Sequence, residues 1–195
     1  MTSRIDVLEP GETDDEEANR RLEEAREGWY GDSAFFGAMA HQPGLLTQLM
    51  DTFDAFPASE TIDTELLELM RLRVAEVHRC AYCATVRTQA VAEDVAPREE
   101  AVFGEELDAD ELSRREELAV RLADQMSEDP HRITDEFFDE LRTVFSEEEI
   151  VELALFASIE VGLDRFSIAL TLDTTDESPY PSGLEYPFDR SEVDQ

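Results

Sequence analysis

Cys80 and Cys83 are the only cysteines in this chain, and they stand two residues apart in Arg79-Cys80-Ala81-Tyr82-Cys83-Ala84. A Cys-x-x-Cys at the start of a helix has a direct chemical use. Unpaired backbone N–H groups and the positive end of the helix dipole favour the thiolate, which is the nucleophilic form. The two-residue gap keeps both sulfurs on one face, close enough to join once one of them has been oxidised. Such a pair suits reduction of a peroxide or thiol–disulfide exchange, each a two-electron cycle. The plain alternative is a pair of inert, half-buried small hydrophobes. On position alone Cys80, first in the helix, is favoured as the attacking thiol.

Other chemistries find less support. His78 lies two residues before Cys80 and could join both sulfurs around zinc, but a closed site needs a fourth ligand and no second Cys or His cluster is present. His41 and His131 are isolated. Neither a metal nor an organic cofactor is expected. No Gly-rich phosphate loop, dinucleotide fingerprint or nucleophile-elbow serine occurs.

The elements that must carry the pair are helical. Pro43 opens a run in which Leu45, Leu46, Leu49, Met50 and Phe53 recur at spacings of three and four. Thr64 stands where an N-cap belongs, ahead of Leu66, Leu67, Leu69, Met70, Leu72, Val74, Ala75 and Val77. A helix beginning near Cys80 is expected to hold Ala84, Val86, Ala90 and Val91, and Pro97 can open a short one. Asp110 or Ser113 opens a longer helix through Leu118, Leu122 and Met126. Thr134 caps another with Phe137, Phe138 and Leu141 inward, and Ser146 with Glu149 forms a capping box before the last long run. No alternating β-branched segment competes, so the expected class is all-α.

Composition bounds the setting. The chain carries 49 acidic residues against 16 basic ones, a formal net charge of −33, and every basic residue is Arg. A field that negative repels nucleic acid and anionic membranes, so neither is expected as a partner. The even spread of carboxylates fits life in high intracellular salt, where screening removes their repulsion. With no apolar run of bilayer length and no apolar signal core at the start, a cytoplasmic protein is expected. The chain divides into an acidic, loosely held N-terminal arm (1–27) with a short helical-looking run from Glu16 to Arg26, a helical domain (28–172), and a C-terminal tail (173–195) whose Tyr180, Tyr186 and Phe188 are expected to pack onto something.

Glu68, the run Arg73-Val-Ala75 and Cys80-Ala-Tyr-Cys83 together resemble the signature of the carboxymuconolactone decarboxylase/alkylhydroperoxidase D family. Ala38-Met-Ala-His41-Gln-Pro43, Phe145-Ser-Glu-Glu-Glu-Ile150 and Asp164-Arg165-Phe166 (Asn-Arg-Phe in many members) extend the resemblance over roughly residues 30–172. It implies an alkylhydroperoxidase D-like helical bundle of about six helices, assembled as a homo-oligomer, trimer or hexamer. It also implies a thiol-dependent peroxidase or disulfide oxidoreductase taking a hydroperoxide and an unidentified thiol or disulfide reductant. In that pattern Cys83 attacks the peroxide, Cys80 resolves, and Glu68 is the relay carboxylate. Tyr82 stands where some members carry His.

The departure is Arg87, which replaces the relay His four residues after Cys83. Arg stays protonated and cannot accept a proton from a thiol, though on a shared helix face it could lower the Cys83 pKa by its charge. Plainer roles exist: Glu68 could pair with Arg71 or Arg73 on a solvated face, and Arg87 could balance nearby carboxylates. Two other outcomes stay open, a non-catalytic helical oligomer and, less favoured because the cysteine pair is kept, a lactone decarboxylase.

Overall fold

The computed structural model describes residues 3–104 and 107–181, and among them there is helix and loop but no strand. The all-α expectation holds. The helices in chain order are α1 (Glu16–Glu24, running on as a wide π turn over Ala25–Trp29), α2 (Ala34–Met39), α3 (Pro43–Ser59), α4 (Thr64–His78), α5 (Ala81–Thr85), α6 (Ala92–Val95), α7 (Glu99–Val102), α8 (Arg114–Glu128), α9 (Asp135–Leu141) and α10 (Glu147–Leu170). The bundle of about six helices corresponds to the longer members. α2, α5, α6 and α7 have only four to six residues, too few to show a periodicity.

Cap chemistry sets most of the boundaries. Ser113 and Ser146 each form a complete capping box, with Glu116 and Glu149, so two otherwise orphaned donors are satisfied at each helix start. Thr134 accepts from the Phe137 N–H and starts α9. Between Asp110 and Ser113 it is Ser113 that opens α8. The cap of α4 is Asp63 rather than Thr64, which is already helical.

α4 is the axis of the bundle. Every residue from Leu66 to Ala75 is buried, including Glu68, Arg71 and Arg73. A helix apolar most of the way round must be enclosed on all sides. Met70 and Val74 pack with Leu118, Leu122 and Leu153 from α8 and α10, while Leu69 and Leu72 pack with Val95 and Val102 from α6 and α7. A third cluster joins α1, α2 and α3 around Leu22, Phe36, Leu46 and Met50 and reaches Cys80 and Tyr82.

The N-terminal segment corrects the expectation of a loosely held arm. Ala18, Leu22 and Ala25 are fully buried. They stand at i, i+4 and i+7, a narrow apolar stripe in an otherwise acidic sequence, and the stripe lies on α3. Arg21 ties the same helix to Asp51 and Asp54 of α3. The preceding extended stretch docks too, with the Leu8 N–H donating to Gly37 O at 3.3 Å. A Cβ on Gly37 would collide with Leu8 O, so this approach requires glycine. The start of the tail also folds back, with the Thr175 N–H donating to Asp32 at 2.6 Å and Tyr180 packed against the cluster that joins α1, α2 and α3. Tyr186 and Phe188 lie outside the described residues.

Surface Arg side chains are distributed among carboxylates, as in Arg20 with Glu17 and Glu24, Arg114 with Glu117 and Glu140, and Arg132 with Glu128. Exposed pairs of this kind each contribute little, and the surplus carboxylates repel one another. The thermal midpoint should therefore climb by about 5 °C or more between dilute buffer and molar KCl as the repulsion is screened. Equal midpoints at the two salt levels would show that the −33 net charge does not limit stability.

Candidate functional site

Arg79, in the left-handed conformation at φ 56°, ends α4 and turns the chain so that the Cys80 N–H still donates back to Ala75 O at 2.9 Å. This turn places Cys80 at the N-cap of α5, where its Sγ accepts from the Cys83 N–H at 3.3 Å. The first sulfur thus sits at the positive end of the short helix, where its spacing put it. Cys80 and Cys83 are joined as a disulfide with their Cα atoms 5.3 Å apart.

The two sulfurs differ in access. Cys80 is fully buried, whereas Cys83 is 8% exposed and lines a small cavity of about 20 Å³. That is room for about one water molecule or the head of a small peroxide. Tyr30, Phe35, Phe53 and Leu163 form its apolar wall, and Arg71, Glu160 and Asp164 bring ionisable groups to it. The sulfurs and a carboxylate oxygen of Asp164 all lie within 4.8 Å of one another. With the sulfurs bonded to each other, Asp164 is the one charged donor left in that cluster, short of what a metal ion requires.

Glu68 is brought to the site but is fully engaged there. Arg71 Nε and Nη2 donate to its two oxygens at 2.7 and 2.6 Å, and the Thr88 N–H and hydroxyl add bonds of 3.1 and 2.8 Å. Burial alone would raise its pKa, but the Arg71 charge and these hydrogen bonds outweigh burial and hold it below the usual carboxylate value. The pairing with Arg71 is one that the spacing allowed; the solvated face is not, since both side chains are buried. Arg71 then donates to Cys83 O and Val86 O, each at 2.7 Å. The pair is a clamp on the end of α5.

Arg87 is not where a shared helix face would put it. α5 ends at Thr85 and Val86 is extended, so position 87 has left the helix that carries Cys83. Its guanidinium pairs with Glu99 at 2.7 and 2.9 Å and donates to the carbonyls of Ala84, Thr85 and Val86. It does not line the cavity at Cys83. The chain turns at Thr85 because those C-terminal carbonyls find the guanidinium rather than another helical turn.

Tyr82 lines the cavity with its ring, but its hydroxyl is engaged elsewhere. It donates to Asp32 Oδ1 at 3.0 Å and accepts from the Phe35 N–H at 3.3 Å. Burial, with the Asp32 charge added to it, pushes the phenol well above its ordinary pKa, so it stays neutral.

The residues that sequence reasoning missed are on α10. Glu160 and Asp164 are both buried, one turn apart, and both reach the cavity. Burial raises Glu160 to about 8 against the opposing charge of Arg71. Burial also raises Asp164, opposed chiefly by His78, whose Nδ1 lies 3.5 Å from Asp164 Oδ2. A signal existed: Leu153, Phe156, Ala157, Glu160, Asp164 and Ser167 follow one face of α10, so the two carboxylates occupy inward positions of an otherwise apolar stripe. His78, by its spacing a candidate for zinc alone, belongs to this group.

No family model matches the sequence. Among curated proteins the chain is similar to the uncharacterized protein YdfG of Bacillus subtilis (strain 168), 25% identical over 126 residues, which is 63% of this chain and 85% of that protein. Among solved structures it is similar to an alkylhydroperoxidase AhpD core protein of Ralstonia eutropha JMP134, described as peroxidase-related, with a TM-score of 0.69 and 18% identity over 90% of this chain and 93% of the other. It is also similar to the debrominase Bmp8 in complex with 2,3,4-tribromopyrrole, with a TM-score of 0.70 and 22% identity over 90% of this chain and 95% of the other. Identities at this level establish architecture rather than activity, and the architecture agrees with the resemblance carried by the Cys80–Cys83 segment: the chain has the alkylhydroperoxidase AhpD-like, all-helical fold.

Proposed function

We propose that this chain is a thiol-dependent peroxidase or disulfide oxidoreductase whose working centre is the Cys80–Cys83 pair. The observation that carries the reading is the pair itself, joined as a disulfide, with one sulfur opening onto a small cavity and the other sealed. The open sulfur, Cys83, is the one a peroxide can reach. Its thiolate attacks the outer oxygen of a hydroperoxide, the O–O bond breaks, and an alcohol and Cys83 sulfenic acid result. The Cys80 thiolate then displaces hydroxide from that sulfur, giving water and the disulfide. A dithiol or thiol donor returns both electrons. The dipole argument for Cys80 is answered by access, since a sealed thiolate serves better as the resolving partner. The peroxidase-related name of one structural neighbour agrees with this chemistry. Val151 and Leu155, exposed one turn apart on α10, support assembly into a homo-oligomer that would cover them.

Thiol titration in molar salt tests the reading. One equivalent of hydroperoxide should remove two thiols per chain, a dithiol reductant should restore them, and Cys83→Ser should abolish peroxide consumption. Cys80→Ser should leave a trappable sulfenic acid on Cys83. Persistence of both thiols at millimolar peroxide would sink the enzyme reading and leave a non-catalytic helical oligomer as the better account.

A further inference from the structure

The thiol chemistry needs a group that takes a proton from each cysteine and returns it to the departing oxygen, and the two expected relay positions do not supply one. Glu68 is saturated by Arg71 and Thr88, and Arg87 is paired with Glu99 away from the cavity. We propose that Asp164 of α10 is the proton acceptor and donor for the Cys80–Cys83 pair, with His78 of α4 as its positioning partner. The proposal rests on the redox reading above and assigns the proton path of that same centre.

The geometry has three parts. An Asp164 carboxylate oxygen lies within 4.8 Å of both sulfurs, a gap that one bridging water spans. Asp164 is 1% exposed, and among the described residues its Oδ2 has no hydrogen-bond donor other than what His78 can offer across 3.5 Å. The other ring nitrogen, His78 Nε2, lies 3.4 Å from the carbonyl of Ser127 on α8. A carbonyl only accepts, so Nε2 carries a hydrogen, and neutral His78 then presents a bare Nδ1 to Asp164. Two acceptors facing each other in a dry site repel unless a proton lies between them. The His78–Asp164 pair is therefore built to take up one proton, which is the property a relay needs. The other charged groups facing Asp164 are Arg71 from α4 and Glu160 and Arg165 from α10.

The cycle balances with that proton returned. Asp164 takes the proton of Cys83, the thiolate attacks the peroxide, and the proton goes to the leaving alkoxide to make the alcohol. Asp164 then takes the proton of Cys80, that thiolate attacks the Cys83 sulfur, and the proton joins the expelled hydroxide to make water. General acid–base help of this sort accelerates a step by about 10²- to 10⁴-fold.

Asp164→Asn keeps the shape and removes the proton site. In reduced protein with a native far-UV spectrum, it should slow hydroperoxide consumption by about 100-fold at pH 7 and be partly rescued as pH rises. Independently of turnover, the pH midpoint for iodoacetamide alkylation of the thiols should fall, because the substitution removes a negative charge from beside the sulfurs. His78→Gln should give a smaller loss of rate and leave the alkylation midpoint nearer that of the wild type, because it weakens placement without deleting the acceptor. A rate within twofold of wild type together with an unchanged alkylation midpoint in Asp164→Asn overturns the relay while leaving the redox reading intact. A wild type that consumes no peroxide, yet whose alkylation midpoint falls in Asp164→Asn, keeps the Asp164 carboxylate at the thiols and removes the peroxidase assignment.

Discussion

Arg71→Met should lower folding stability by about 3–5 kcal/mol, because it leaves the Glu68 carboxylate buried without its counter-charge. Glu68 and Arg71 have side chains 1% and 4% exposed, so neither can recover water without opening the bundle. After the substitution Glu68 keeps only the two Thr88 donors among the described residues, the Cys83 carbonyl loses the Arg71 donor, and the Val86 carbonyl keeps only that of Arg87. Urea titration at pH 7 in molar salt measures the loss. The double variant Glu68→Gln with Arg71→Met should be less damaged than the single effects added together, because no uncompensated charge remains. The pH sign follows from the depressed pKa of Glu68. Its contribution is complete above the unfolded value near 4.5 and disappears as pH falls through the lower folded value, so the acid limb of the stability curve should be steeper in wild type than in the double variant. A loss under about 1 kcal/mol in Arg71→Met would mean that water reaches Glu68 and that the clamp is not a dry pair.

That pair illustrates what the sequence can and cannot convey. Glu68 and Arg71 at i and i+3 announce a contact, and the spacing correctly pairs them. Whether the contact is solvated depends on what surrounds α4, and α6, α7, α8 and α10 come from distant parts of the chain. The long helices are legible for the opposite reason. Periodicity and caps such as Ser113, Thr134 and Ser146 are local, and local chemistry decides them. The helical run from Glu16 to Arg26 is legible but its docking is not, because Ala18, Leu22 and Ala25 among many carboxylates look like a solvated segment until α3 is there to cover them. The helix expected from Cys80 is longer than α5 because apolar residues continue to Val91, yet the carbonyls at its end bind Arg71 and Arg87 instead of the next turn.

The same distinction governs the site. The Cys-x-x-Cys spacing and its place at a helix start are readable from two residues, and the structure keeps both features. The acid–base groups are not readable from neighbouring positions, because the cavity is closed by α10, some eighty residues further along the chain. The resemblance puts the relay carboxylate at Glu68 and leaves Arg87, which cannot accept a proton, where the relay His would stand. The bundle instead turns Glu68 toward Arg71 and Arg87 toward Glu99, while Asp164 and Glu160 arrive from the opposite wall.

Glu160→Gln should stabilise the protein at pH 8 and leave it nearly unchanged near pH 4.5. Burial raises the Glu160 pKa from 4.5 to about 8, with Asp164 and Glu68 adding to burial and Arg71 opposing it. Between those two values the folded chain holds a proton there that the unfolded chain has released, so stability falls as pH rises across the window and levels off above it. A tenfold change in proton affinity corresponds to about 1.4 kcal/mol, so the Gln variant should gain at least roughly 3 kcal/mol at pH 8. Chemical denaturation of both proteins at several pH values between about 4 and 9, at constant high salt, isolates this one group from the many surface carboxylates because they titrate alike in both. The difference curve should rise through the window, and a flat one would mean that Glu160 ionises freely. A rising curve would also fix the charge state of the cavity wall: at neutral pH Glu160 stands protonated beside Cys83, so the site meets a forming thiolate with one buried carboxylate rather than two.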